Sequence, residues 1–174
     1  MSGDAGRGGP HDVHDLHTER AAREALLRIN NASAVETSLL SQERFDQLIG
    51  AARIATFIQP CAAFLLAFEH SDIYDGGHFQ WFQRRFDKFI YIDRVVVSQE
   101  YRRHGLGRML YADLFERAER LGHTAIVCEV NALPPNPVSD WFHAAHDFNE
   151  VGTATLDNGG KTVRYLLRRS PPIA

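Results

Sequence analysis

The residues whose types and spacing are best suited to chemistry form one short segment, Gln99-Glu100-Tyr101-Arg102-Arg103-His104-Gly105-Leu106-Gly107-Arg108. Glycines at 105 and 107 let the main chain approach a ligand with no Cβ in the way. A helical pattern starts inside the segment, and a helix N-terminus offers unpaired N–H groups and positive dipole charge. Arg102, Arg103 and Arg108 add guanidinium forks, so phosphate oxygens could be met by backbone amides and side chains together. Two nucleotide motifs are excluded. The loop G-x-x-x-x-G-K-[ST] fails because Arg108 and Met109 follow Gly107, and the dinucleotide fingerprint needs a third glycine where Leu110 stands. An anion-binding turn or a merely structural one remains.

The elements that must position this loop are legible on both sides. Phe89 to Val97, FIYIDRVVV, is rich in β-branched and aromatic residues and reads as a strand. Gly107 to Leu121 carries a stripe of Leu110, Leu114, Ala118 and Leu121, with Glu116 and Arg120 at i, i+4 and Gly122 at the C′ position. Thr124 to Val130 is a second strand, so the three form a parallel, right-handed βαβ unit. Asn136 caps a further helix, with Pro137 at its first position, running to about His146. Strands near Glu150–Leu156 and Val163–Arg168 close the chain through an Asn158-Gly159-Gly160 turn. Upstream, Ser41 caps a helix to Ala52 that presents Phe45, Leu48 and Ile49 on one face. Arg53–Gln59 and Ala62–Glu69 form a strand pair broken at Pro60. Ala25–Asn30 fits a short strand or a helix end. Phe79, Phe82, Phe86 and Phe89 fit one face of a helix and are expected in the core.

Composition sets the frame. The chain has 174 residues, 44% hydrophobic and 24% charged, which suits a single globular domain. Residues 1–20 hold four glycines and few large apolar side chains, so they are expected to form a flexible tail preceding one domain over 21–174. Cys61 and Cys128 lie far apart and make neither a disulfide framework nor a CxxC site, which fits a reducing compartment. The start lacks the layout of a secretory leader, and the apolar run Cys61–Phe68 is far short of the roughly 20 residues a span needs. A cytoplasmic protein is therefore expected. His11, His14 and His17 have no acidic or cysteine partner to fix a geometry, so no metal is expected. The net charge of −3 argues against a nucleic-acid or membrane partner. Residues 84–108 nevertheless hold seven Arg or Lys against three Asp or Glu, a local surplus for a small anionic ligand.

Val95-Val96-Val97 followed by Arg102-x-x-Gly105-x-Gly107 resembles the acetyl-CoA-binding signature of the GNAT superfamily of N-acyltransferases, [QR]-x-x-G-x-[GA]. Downstream, Val130-Asn131, the run Asn136 to His143 and the aromatic Phe148 resemble that family's "N-x-x-A-x-x-L-Y" helix and its end. The resemblance covers residues 53–168 by element order, with specific motifs in 90–148. It implies an α/β (mixed α+β) fold: a central mixed, mostly antiparallel twisted sheet, flanked by helices, with a parallel βαβ cofactor-binding unit. It also implies acetyl-CoA as cosubstrate and direct attack of an amine on the thioester in a ternary complex. A homodimer is plausible on the same ground.

Carried over residue by residue, the resemblance assigns main-chain groups of Val95, Val96 and Val97 to the pantetheine arm and the thioester carbonyl. Arg102, Arg103, His104, Gly105, Leu106, Gly107 and Arg108 would hold the pyrophosphate, and Asn136 would touch the pantetheine. An amine of pKa ≈ 10.4 costs roughly 4.6 kcal/mol to be neutral at pH 7, so a general base is required. Asp93 and Glu129 are the candidates, each with a salt-bridged structural role as its alternative; Arg85 and Arg94 are the possible partners of Asp93. Where the family often has a tyrosine that protonates the leaving thiolate, this chain has His143, which either takes that role or simply packs. Asp147 replaces the usual glycine and tolerates a left-handed conformation. A small molecule or amino acid is the expected acceptor, with Asp72 and Asp75 as possible attractors of a cation. The alternatives are a non-catalytic acyl-CoA sensor, a protein (lysine or N-terminal) acetyltransferase, or nucleic-acid binding through the arginines of the loop.

Overall fold

Apolar periodicity and turn chemistry place the elements where the chain can bury them, and a computed structural model describes residues 12–35, 37–156 and 161–170. The strands are β1 (Val13–Asp15), β2 (Ile54–Ile58), β3 (Ala63–Glu69), β4 (Ile90–Val97), β5 (Ala125–Leu133), β6 (Asn149–Leu156) and β7 (Lys161–Arg169). The helices are α1 (Arg23–Ala32), α2 (Gln42–Ala51), α3 (Gly77–Gln83), α4 (Leu106–Arg120) and α5 (Pro137–Ala144). Seven strands form one sheet in the order β1-β2-β3-β4-β5-β7-β6, mostly antiparallel. The exception is β4 with β5, which run parallel with Ile90 opposite Ile126 and Tyr91 opposite Val127. β2 and β3 are buried almost throughout, as strands covered on both faces must be. This is the mixed α/β architecture expected from the sequence.

The chain divides into two packing units, with the division falling inside α2, β2, β3, β4 and α4. The first holds the described residues of 1–50, 55–66 and 94–114. Here β1 pairs antiparallel with β2, Val13 opposite Ile58, and the Leu16 N–H donates to the Ala55 carbonyl at 2.9 Å. Leu16 is fully buried. The flexible-tail reading of residues 1–20 is therefore corrected from residue 12 onward. A partner strand and one buried leucine supply hydrogen bonds and burial that offset the ordering entropy. The glycines that suggested a tail all lie in residues 1–9, outside the described residues. The open choice at Ala25–Asn30 resolves as helix α1. Ser41 caps α2 as expected, its Oγ accepting from the Arg44 N–H at 3.1 Å, and Phe45 meets Phe64 edge-on at 5.4 Å.

The second unit holds residues 51–54, 67–93 and the described residues of 115–174. β7 pairs antiparallel with β5 and with β6, which bulges between Glu150 and Gly152. Gly122 ends α4 in the left-handed region at φ +74°, with its own N–H on Glu119 O and the His123 N–H on Ala118 O. Asn136 Oδ1 accepts from the Ser139 N–H at 3.2 Å, so the expected cap on α5 is present. Asp147 sits at φ +62°, the left-handed conformation expected of it. The phenylalanine helix is corrected: α3 ends at Gln83, so only Phe79 and Phe82 are helical. Phe89 reaches the same cluster from the start of β4, 5.6 Å from Phe79, because the chain must turn back to enter the strand. The Asn158-Gly159-Gly160 turn lies outside the described residues.

Candidate functional site

In the first unit the glycine loop is shaped by its backbone. Ser98 leaves β4 with its N–H on Ala62 O, and a single 3-10 turn, Gln99–Tyr101, follows. Arg103 then takes φ +66° and Gly105 φ +79°, and α4 starts at Leu106. Two left-handed residues one apart fold the chain back on itself just before the helix. The first helical bond runs from the Met109 N–H to Gly105 O, so the amides of Leu106, Gly107 and Arg108 precede the helical ladder. A Cβ on Gly105 would find nothing within 4 Å, so the approach to these amides is open. Arg102, Arg103, His104 and Arg108 are exposed, while Leu106 is buried and anchors the turn. Val95 and Val97 are half-buried and alternate with the buried Val96. Not all of the local positive charge faces this loop. Arg94 is buried and donates to Asn30 Oδ1 at 2.9 Å, and Arg85 lies over the Trp81 ring at 3.9 Å.

The second unit gathers both candidate carboxylates with aromatic hydroxyls. Tyr91 donates to Glu129 Oε2 at 2.8 Å, and Tyr74 donates to Asp93 Oδ1. Tyr165 stands opposite Glu129 in the β5–β7 register, its hydroxyl 3.0 Å from His78 Nδ1. Trp81 stacks on Tyr165 at 4.0 Å, above the bulge at Gly152. Burial pushes the Glu129 carboxyl up to about 8; the charge of Asp93 adds to this, and the Tyr91 hydrogen bond opposes it. Burial also lowers His78, with the Lys161 charge assisting and Asp93 opposing. Burial holds Tyr91 well above the usual phenol range, so its proton stays on to serve Glu129. A half-buried carboxyl poised near 8 and hydrogen-bonded to a phenol can take a proton from an ammonium-like donor.

The remaining candidates are placed as follows. His143 is buried on α5, its Nδ1 2.8 Å from the Ser139 carbonyl oxygen, with the Phe148 ring edge-on at 5.2 Å. That contact puts a proton on Nδ1, and burial lowers its pKa, with the Ser139 hydrogen bond opposing. Asn136 spends its Oδ1 on the cap of α5. Asp72 accepts from the Glu69 N–H at 2.7 Å, which ties it to the end of β3. Burial pushes the Cys128 thiol far up, which keeps it from acting as a nucleophile. Sequence reasoning missed Tyr74, Tyr91, Tyr165, His78 and Trp81. Strand alternation places Tyr91 on the face of Asp93, the one signal the sequence offers. The others come from a loop, a helix and a distant strand, and no spacing links them.

Fold and loop together define an α/β protein with an exposed, arginine-flanked glycine turn between a strand and a helix. Residues 16–148 match the acetyltransferase (GNAT) family, and the chain belongs to that family. No curated protein sequence is significantly similar to it. Among solved structures, the ribosomal-protein-S18-alanine N-acetyltransferase from Escherichia coli is 16% identical, with 94% of this chain and 96% of that chain covered and a TM-score of 0.67. The NatC complex bound to Gag peptide and CoA gives 12% identity, 94% and 100% coverage and a TM-score of 0.72. An N-acetyltransferase from Staphylococcus aureus Mu50 gives 13%, 92% and 99%, and 0.70. At these identities the likeness is one of fold.

Proposed function

We propose that this protein transfers the acetyl group of acetyl-CoA to the primary amine of a small molecule or amino acid, by direct attack. The amine nitrogen bonds to the thioester carbon, the carbon–sulfur bond breaks, and the ammonium proton leaves to Glu129. Family membership supports the acyl transfer. The exposed, arginine-flanked turn from Arg102 to Arg108, with amides open at Gly105, suits the pyrophosphate. Main-chain groups of Val95, Val96 and Val97 would align the pantetheine and the carbonyl, and the edge of α5 at Asn136 would border the arm. The observation that carries turnover over mere acyl-CoA sensing is Glu129, a half-buried carboxyl raised to about 8 and bonded to Tyr91. Asp93, bonded to Tyr74, adds the negative charge that raises it and would draw a cationic amine. His143 with Nδ1 committed to Ser139 lines the helix as a positioning group; the thiolate would then take the second proton lost by the amine nitrogen, or one from water.

Thiol release from acetyl-CoA across a panel of primary amines tests this. Release that depends on one class of small amine is the expected result. CoA binding with no release on any amine, including peptide N-termini and lysines, would establish the sensor instead. Nucleic acid that binds alongside CoA would contradict use of one loop for both.

A further inference from the structure

Away from these residues, three side chains the proposed chemistry does not use converge in the second unit. Glu69 ends β3, His70 follows it, and His123 precedes β5. One ligand atom from each lies within 4.8 Å of the others. His123 Nε2 is 2.7 Å from Glu69 Oε1, and the His123 side chain is wholly shielded. The Nδ1 atoms of both histidines are buried and have no hydrogen-bond partner. Buried ring nitrogens are normally satisfied, so two orphans beside one carboxylate call for an explanation.

The backbone holds all three residues in place. The His70 N–H donates to Phe89 O at 3.0 Å, the Glu69 N–H to Asp72 Oδ2 at 2.7 Å, and the His123 N–H to Ala118 O at 2.9 Å. We infer that Glu69, His70 and His123 form a Zn²⁺ site, with two imidazoles, one carboxylate and a fourth position for water. Two nitrogens and one oxygen suit zinc and its borderline neighbours rather than the all-oxygen cations calcium and magnesium. The ion takes up one lone pair from each ring and one from the Glu69 carboxylate. It thereby ties the end of β3 to the turn after α4, beside the start of β4 where Phe89 holds His70. Arg53, 3.4 Å from Glu69 Oε2, occupies the other carboxylate oxygen and tempers the affinity. Of the histidines noticeable in the sequence, His14 and His17 belong to no such cluster among the described residues, and His11 lies outside them.

Chelator-stripped protein titrated with Zn²⁺ against a chromogenic competitor tests the site. One equivalent bound per chain is expected, with affinity at least tenfold weaker in Glu69→Gln, His70→Gln and His123→Gln. A variant with His11, His14 and His17 all changed to Gln keeps the wild-type affinity. Zn²⁺ also raises Tm by several degrees, and His70→Gln abolishes that rise. Because His123 is buried and its variant can misfold, His70→Gln with a native far-UV spectrum is the deciding measurement. No stoichiometric binding, or unchanged affinity in both His70→Gln and Glu69→Gln, overturns the site.

Discussion

The glycine turn and the tyrosine–carboxylate cluster work by opposite physics. The turn, from Arg102 to Gly105, is exposed and basic, and its capacity lies in backbone amides and two left-handed residues. The cluster is half-buried and acidic around the buried Tyr91 and Tyr165, and its capacity lies in side chains whose protonation is altered by loss of solvent. Backbone recognition tolerates exposure, because several short amide contacts and a helix dipole act together on a strong anion. Proton transfer near neutrality needs burial, because only a desolvated carboxyl can be raised so far from its ordinary value.

That contrast can be broken by single substitutions. Gly105→Glu has the largest expected effect: a carboxylate before the open amides should reduce CoA binding below detection by calorimetry. The fold should survive, since no atom lies within 4 Å of the new Cβ and the cost is backbone strain of about 1 kcal/mol or a little more. Next, Glu129→Gln should lower kcat/KM by about 10²–10⁴-fold while CoA affinity holds. The same change should erase a limb of the pH–rate profile that rises toward about 8. A larger loss in Asp93→Asn than in Glu129→Gln would move the base to Asp93.

Stability against pH tests the same carboxyl with no substrate present. Its folded pKa lies above the ordinary 4.5, so the native state holds the proton more tightly than the unfolded chain. The stabilisation is complete below 4.5, falls as pH rises, and is gone above about 8. At 1.36 kcal/mol per pH unit the loss is capped at about 5 kcal/mol, and Glu129→Gln should flatten it in urea titrations across pH. A smaller structural effect is expected from Gly152→Ala. The added Cβ would lie 2.7 and 2.9 Å from Trp81 ring atoms, which should cost about 1–3 kcal/mol in thermal melts. Smallest is Tyr91→Phe, which removes the hydrogen bond that holds Glu129 down. The rising limb should move to higher pH by a fraction of a unit; a shift to lower pH would contradict the assigned bond.

The sequence was informative where function rests on local order. A strand, a turn with glycines at 105 and 107, and a helix stopped by Gly122 are all short-range features, and each stands where local chemistry put it. Reading went astray where long-range contact overrides composition. β1 forms because an edge strand is offered to it, which residues 12–20 cannot announce. Phe89 joins the rings of α3 from another element, so its spacing imitated one longer helix.

Residues 90–148 therefore determined the family pattern and the glycine turn unaided, because backbone conformation and capping depend on neighbours a few positions away. The tertiary structure alone decided which carboxylate is raised, which tyrosines serve it, and that Glu69 and His70 meet His123. A pKa and a ligand set depend on burial and on partners dozens of residues distant, and neither is written in any local spacing.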